Sequence, residues 1–185
     1  MIVSIHQPNF IPWYPFFQKI EASDVFVLLG HCQFEKNNFQ NRFNLNDKWH
    51  TMSVNKGLEP IVYKKYLNPE KDWNKIKTNL KQYRHILDAL DDCISDNLFK
   101  TNVNVIRKLC SMLDIQTPIV LDYPTELTST ERLVDICKHY GATKYLSGPS
   151  GKKYLDLTQF GDTIEVVYQD TQDKKSVLKA FSNEL

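Results

Sequence analysis

His6-Gln7-Pro8-Asn9 is the first stretch of this chain able to do chemistry. An imidazole can carry a proton or contact phosphate near neutral pH, and the amides of Gln7 and Asn9 can hold a polar ligand. Pro8 and Pro12 stiffen the loop. A histidine at a strand end is also often a hydrogen-bonded structural residue, and both readings stay open at this point. The second stretch runs from residue 30 to 42. It places Gln33, Asn37, Asn41 and Arg42 around Phe34 and Phe39. Amides with aromatics suit a ligand such as a sugar, with Trp13 or Phe39 as a stacking face. The same composition also describes an ordinary solvated loop. The third stretch is Ser147-Gly148-Pro149-Ser150-Gly151-Lys152-Lys153. Its glycines allow close backbone approach, and a following helix start with lysines favours an anion. Ser147, Gly148, Ser150, Gly151 and Lys152 therefore read as a phosphate cradle, or as a plain strand-to-helix turn. The stretch is neither a P-loop nor a GxGxxG fingerprint.

Some chemistry finds no support. No His-x-x-x-His or Cys-x-x-Cys pair suggests a metal site, and His31-Cys32 are adjacent, which does not suit one tetrahedral ion. There is no Gly-x-Ser-x-Gly elbow. Apart from His31 beside Cys32, no cysteine has a neighbouring histidine in sequence, and a covalent nucleophile is not predicted.

The elements that must position these loops follow from hydrophobic periodicity. Ile2-Val3-Ser4-Ile5 reads as a buried strand, ended by the two prolines. Trp13, Phe16, Phe17 and Ile20 recur at helical spacing, with Pro15 in the first turn. Val25-Phe26-Val27-Leu28-Leu29 is a second strand, so the opening is a βαβ unit with parallel strands. Ligands bind beyond the carboxyl ends of such strands, the edge from which the His6 loop leaves. A hairpin is predicted around a three-residue Asn46-Asp47-Lys48 turn, and Ile61-Val62-Tyr63 as a short strand. Two helices follow, one with a stripe from Trp73 to Leu87 behind an Asn68-Pro69-Glu70 start, one opened by Asp96-Asn97. Lys71, Lys75, Lys77 and Lys81 are expected on a solvated face. Residues 118–121, 142–146 and 164–168 read as strands, and Thr128-Ser129-Thr130-Glu131 as a capping box for a helix stopped at Gly141. The order favours an α/β, Rossmann-like sandwich with a mainly parallel sheet, an inserted hairpin and a helical segment. Residues 1–170 are expected to form one domain with a helical excursion at about residues 68–114, and residues 171–185 a C-terminal tail. His6, Arg42 and Ser150 should then face one cleft.

Bulk properties bound the rest. The chain has 185 residues and a net charge of +1, which gives no sign of a nucleic-acid partner. No apolar run suits a membrane span, no signal peptide precedes the first strand, and the four cysteines are scattered. A cytoplasmic protein with reduced thiols is expected.

Ile5-His6-Gln7-Pro8-Asn9-Phe10-Ile11-Pro12-Trp13 resembles the opening signature of the WbqC-like family. Asp24-Val25-Phe26-Val27 does so too, as do Gln33-Phe34 with Gln40-Asn41-Arg42. So do Arg132-Leu133-Val134-Asp135-Ile136-Cys137 and Tyr145-Leu146-Ser147-Gly148-Pro149-Ser150-Gly151 followed by Tyr154-Leu155. The likeness runs from Met1 to about Asp170, after which the His-Pro-x-Tyr segment usual in the family is missing. The resemblance implies a part in bacterial surface-polysaccharide (O-antigen, lipopolysaccharide) biosynthesis. The implied reaction is transfer of a glycyl or related aminoacyl group to the amine of a dTDP- or UDP-linked amino-deoxy-sugar. An activated amino acid, with ATP as a possible cofactor, would be the donor. The layout is also similar to ATP-using adenylyl-transfer enzymes of the HUP type, without their His-x-Gly-His signature. On these likenesses, His6 would contact phosphate or remove the amine proton, and Ser150, Lys152 and the glycine backbone would hold phosphates. Gln7, Asn9, Gln33, Asn37, Asn41 and Arg42 would bind sugar or pyrophosphate. A non-catalytic nucleotide-sugar-binding module and a nucleotidyltransferase are the alternatives.

Overall fold

The computed structural model describes residues 1–171 and 175–181. In chain order the elements are β1 (Ile2–His6), α1 (Tyr14–Glu21), β2 (Val25–Leu28), the hairpin β3 (Arg42–Leu45) and β4 (Lys48–Thr51), α2 (Pro69–Asn79) and α3 (Arg84–Asp88). Then come α4 (Leu98–Met112), β5 (Ile119–Leu121), α5 (Ser129–His139), β6 (Lys144–Ser147), β7 (Glu165–Tyr168) and the short α6 (Val177–Ala180).

Five strands form one sheet in the order β5-β2-β1-β6-β7, and every pairing in it is parallel. The chain winds outward from β1 to β2 and β5, then crosses back to lay β6 and β7 on the other side of β1. The winding reverses between β1 and β6, which makes their carboxyl ends a topological switch point. Strand periodicity divides the core in two. Val3, Ile5 and Val27 pack with Leu133, Ile136 and Cys137 of α5 on one face. Phe26 and Leu28 pack with Phe16, Phe17 and Ile20 of α1, and with the helical segment, on the other.

Several local expectations are corrected. The hairpin turn has two residues, Asn46 and Asp47, both at positive φ (52° and 58°). That is the type I′ geometry whose twist suits antiparallel strands. Ile61–Tyr63 is a 3-10 turn, not a strand. Its amides are spent on the neighbouring loop, with Ile61 N–H on the Cys32 carbonyl and Val62 N–H on that of Gly30, both at 2.9 Å. The stripe from Trp73 to Leu87 is divided between α2 and α3, because Leu80 leaves helical φ/ψ (−118°, 49°). Lys77 is buried rather than solvated and donates to both oxygens of Asp91 at 2.6 and 2.9 Å. The segment after β7 contributes core. Ser176 pairs with Trp13, and Val177 and Leu178 are fully buried. Residues 172–174 and 182–185 of the expected tail lie outside the described residues.

Candidate functional site

A cleft of about 1050 Å³ opens at the carboxyl ends of β1, β2 and β6. The loop after β1 supplies His6, Gln7, Asn9 and Trp13 to it. The loop after β2 supplies Cys32, Glu35, Asn38 and Phe39. Helix α5 supplies Ser129 and Arg132, and the turn after β6 supplies Ser150 and Tyr154.

His6 is half-buried at the end of β1, edge-on to Phe16 with ring centroids 4.9 Å apart. Its Nδ1 lies 2.9 Å from the Gln7 carbonyl oxygen. A carbonyl can only accept, so Nδ1 carries the proton and Nε2 the lone pair. Burial, and then the charge of Lys19, lower its pKa to about 4. The ring is therefore neutral at ordinary pH. Lys19 comes from α1 and is itself buried, donating to the Ile5 carbonyl at 3.0 Å, with its pKa lowered to about 7 by desolvation.

The two loops that carry most of the lining are locked together. Gln7 donates to Glu35 Oε1 at 3.0 Å, and Gln40 donates to Gln7 Oε1 at 2.8 Å. From below, Asn102 of α4 donates to the carbonyls of Pro8 and Gln40, both at 2.7 Å. Glu35 Oε2 accepts from Asn38 at 2.6 Å, so both carboxylate oxygens are held by amides while Glu35 lines the cleft.

On the α5 side, Arg132 pairs with buried Asp122 at the end of β5. Asp122 also accepts from the backbone of Gly30 at 2.7 Å and from His31 Nδ1 at 2.9 Å. One carboxylate therefore ties the β2 loop to α5. Cys32 in the same lining has its thiol pushed up to about 11, mainly by burial, so it stays protonated and is no thiolate nucleophile.

The three loops do not all contribute as expected. His6, Gln7, Asn9, Trp13, Phe39 and Ser150 line the cleft; Gln33, Asn37, Asn41 and Arg42 do not. Gln33 bridges to Pro60, and Asn41 is buried with its amide on the Met52 carbonyl at 2.8 Å. Asn37 holds a left-handed turn (φ 60°) whose carbonyl accepts from Arg42. The Arg42 guanidinium lies 4.1 Å above the Trp49 ring, because β3 begins at Arg42 and draws it into the hairpin. Phe39 packs on the same Trp49 at 5.4 Å, so Arg42 meets the site only through that ring pair.

The glycine-rich turn also differs from a cradle. Pro149–Lys153 is a five-residue 3-10 turn. Ser147, Gly148, Gly151 and Lys152 are absent from the lining. Gly151 is there for packing, since a Cβ would meet Ser147 Oγ at 2.1 Å. The Lys152 ammonium rests over the Tyr168 ring at 5.2 Å.

The profile of the WbqC-like protein family fits residues 7–184. The chain belongs to that family. The match runs past Asp170, where the likeness read from the sequence stopped, and includes the segment that packs on Trp13. One relative of this WbqC-like chain is the uncharacterized protein Rv1507c of Mycobacterium tuberculosis (strain ATCC 25618 / H37Rv). It is 29% identical over 188 residues, covering 91% of this chain and 81% of its own length. No solved structure is significantly similar. Within the WbqC-like chain, sequence reasoning gave no role to Glu35, Ser129, Arg132, Asp122 or Asn102. One signal was available for Arg132, a cation beside the apolar stripe Leu133, Ile136, Cys137, which the helix must bury. Among the described residues no helix is long and apolar enough to cross a membrane.

Proposed function

We propose that this WbqC-like protein transfers a glycyl or related aminoacyl group to the amine of a nucleotide-linked amino sugar in surface-polysaccharide assembly. The amine nitrogen attacks the activated carbonyl and forms the amide bond. The bond from that carbon to its leaving group breaks, His6 Nε2 takes the nitrogen's proton and passes it to the leaving group. Glu35 offers its carboxylate to the amine before attack, and Phe39 and Trp13 offer apolar faces to sugar or base. The observation that carries this reading is His6, held neutral with Nε2 as its acceptor, in a cleft large enough for a nucleotide-sugar.

The test is direct. The protein is incubated with UDP- and dTDP-linked amino sugars, glycine and ATP, or a preformed glycyl donor, and the sugar is weighed by mass spectrometry. A mass gain of one aminoacyl residue, lost in His6→Asn, supports the reading. Binding of the nucleotide-sugar with no new amide would make the protein a binding module. Pyrophosphate released without any amine would make it a nucleotidyltransferase.

A further inference from the structure

Ser129 brings the first turn of α5 to the cleft, and that turn has its donors unspent. Thr128 precedes the helix, yet its side chain makes no cap, contrary to the capping-box pattern. The backbone N–H groups of Ser129, Thr130 and Glu131 make no hydrogen bond among the described residues. The start of α1 lies at the same sheet edge and is different. Tyr14 N–H goes to the Lys175 carbonyl at 2.9 Å, Pro15 has no N–H, and Phe16 N–H turns back to Trp13 at 3.1 Å.

A helix start by itself is a weak attraction for anions. Arg132 adds the second element. Its side chain is 8% exposed and lines the cleft, three residues after Ser129 and so on the same helix face. Helical side chains lean toward the N-terminus, a direction that favours Arg132 beside this first turn. Its Nη2 is engaged by Asp122 and by the Tyr123 carbonyl at 3.1 Å. Its Nε is buried with no partner, and Nη1 makes no hydrogen bond among the described residues. Buried donors without acceptors are rare in folded proteins, and a bound ion is one way to satisfy them.

We propose that the first turn of α5 and Arg132 form a phosphoryl subsite that takes the diphosphate of the nucleotide-linked substrate. Three backbone N–H groups and the unpartnered Arg132 Nη1 suit the terminal oxygens of phosphate. Ser129, Ser150 and Tyr154 bring hydroxyls to the same lining. The anion role thus moves from the 147–153 turn to α5. The subsite rests on the nucleotide-sugar reading for its ligand class, whereas its preference for an anion rests on the donors alone.

The experiment is calorimetric titration of the full chain with sodium pyrophosphate and with UDP, with no amine or acyl donor present. Both are expected to bind. Arg132→Gln should weaken both by about tenfold or more, the worth of a lost charge-assisted contact. Ser129→Asp should abolish binding and leave the melting temperature equal or higher. An acid suits a helix start, and aspartate tolerates the positive φ of 49° found there. Should Arg132→Gln fail to fold because Asp122 loses its cation, Ser129→Asp decides alone. Unchanged pyrophosphate binding in Ser129→Asp overturns the proposal, as does binding of acetate or glycine with none of pyrophosphate. Pyrophosphate binding that Ser129→Asp removes, with no amide ever formed, supports the subsite and overturns the aminoacyl-transfer reading instead.

Discussion

Gln40 donates its side-chain N–H to Gln7 Oε1 at 2.8 Å, and that amide pair fastens the loop after β2 to the loop after β1. The backbone of the same two loops is fastened again by Asn102, whose Nδ2 serves Pro8 and Gln40 together. The cleft wall is therefore set before any ligand arrives.

Replacing Asn102 should loosen both loops at once. Asn102→Leu removes both hydrogen bonds and leaves the Pro8 and Gln40 carbonyls without their donor. A cost of about 2–4 kcal/mol is expected in urea unfolding, with faster amide exchange at residues 7–10 and 38–41. A loss under about 0.5 kcal/mol would show that the clamp is dispensable.

His6→Asn should lower turnover by about 10² to 10⁴-fold while the fold survives. The wild-type profile of kcat/KM should carry its own signature. His6 works only when neutral, and its pKa is lowered to about 4. The acid limb from this group should therefore fall through pH 4 rather than through the usual histidine range near 6.5. An acid limb at pH 6 to 7 that vanishes in His6→Asn would contradict the neutral-base assignment.

Lys19 ties stability to alkaline pH. Its pKa is about 7 in the folded chain and near 10.5 when unfolded, so between these values the unfolded state binds the extra proton. Its contribution favours folding as pH rises from 7 to 10.5 and is lost as pH falls back. Lys19→Met removes that slope, which is at most about 1.4 kcal/mol per pH unit. The difference between wild type and variant isolates Lys19 from the cysteines, whose raised pKa values act in the opposite sense above pH 9. The same substitution should raise the His6 midpoint, seen by NMR, because a neighbouring positive charge is gone.

Arg42 and Trp49 should behave as one unit that acts through Phe39. Either Arg42→Ala or Trp49→Ala is expected to raise KM for the nucleotide-sugar severalfold with little change in kcat, consistent with about 0.5–2 kcal/mol for a cation–π contact. Combining them should cost no more than the larger single effect. Additive losses would mean that Arg42 touches the ligand itself.

Gly151→Ala should destabilise by about 1–3 kcal/mol through the clash with Ser147 Oγ. Adding Ser147→Ala should restore part of that loss in thermal melts, since the nearest clashing atom is then gone. Full retention of stability in Gly151→Ala alone would remove the packing explanation.

Much of the frame was legible because strands and helices leave periodic marks. Ile2–His6, Val25–Leu28 and Glu165–Tyr168 could be read from β-branched runs, and their carboxyl ends fixed where a cleft should open. His6, Gln7 and Phe39 followed from that edge. Arg42 did not, because one residue of extra strand decides whether it belongs to a loop or to a hairpin face. Glycines are ambiguous in sequence for a similar reason. Gly151 marks a close contact with its own strand end, and a phosphate loop would use the same residue type. The Thr128-x-x-Glu131 spacing fits a capping box, yet Ser129 takes a left-handed conformation and the cap does not form. Lys19 and Asn102 sit where the helix turns inward, so their roles depend on partners 14 and 62 to 94 residues away. Local pattern carries no information about such partners.

The place of β1 in the sheet has a consequence for synthesis. β1 leaves the ribosome well before its partner β6, and Ser4 donates to the Leu146 carbonyl 142 residues later. Until that length has emerged, one hydrogen-bonding edge of β1 has no partner, and Trp13 waits still longer for Ser176. A nascent chain thus carries an open, apolar strand edge until β6 has emerged, a state prone to pairing with the wrong neighbour. Chaperone demand and the yield of soluble protein should respond to the speed of elongation, and β1, not the cleft, is where that sensitivity arises.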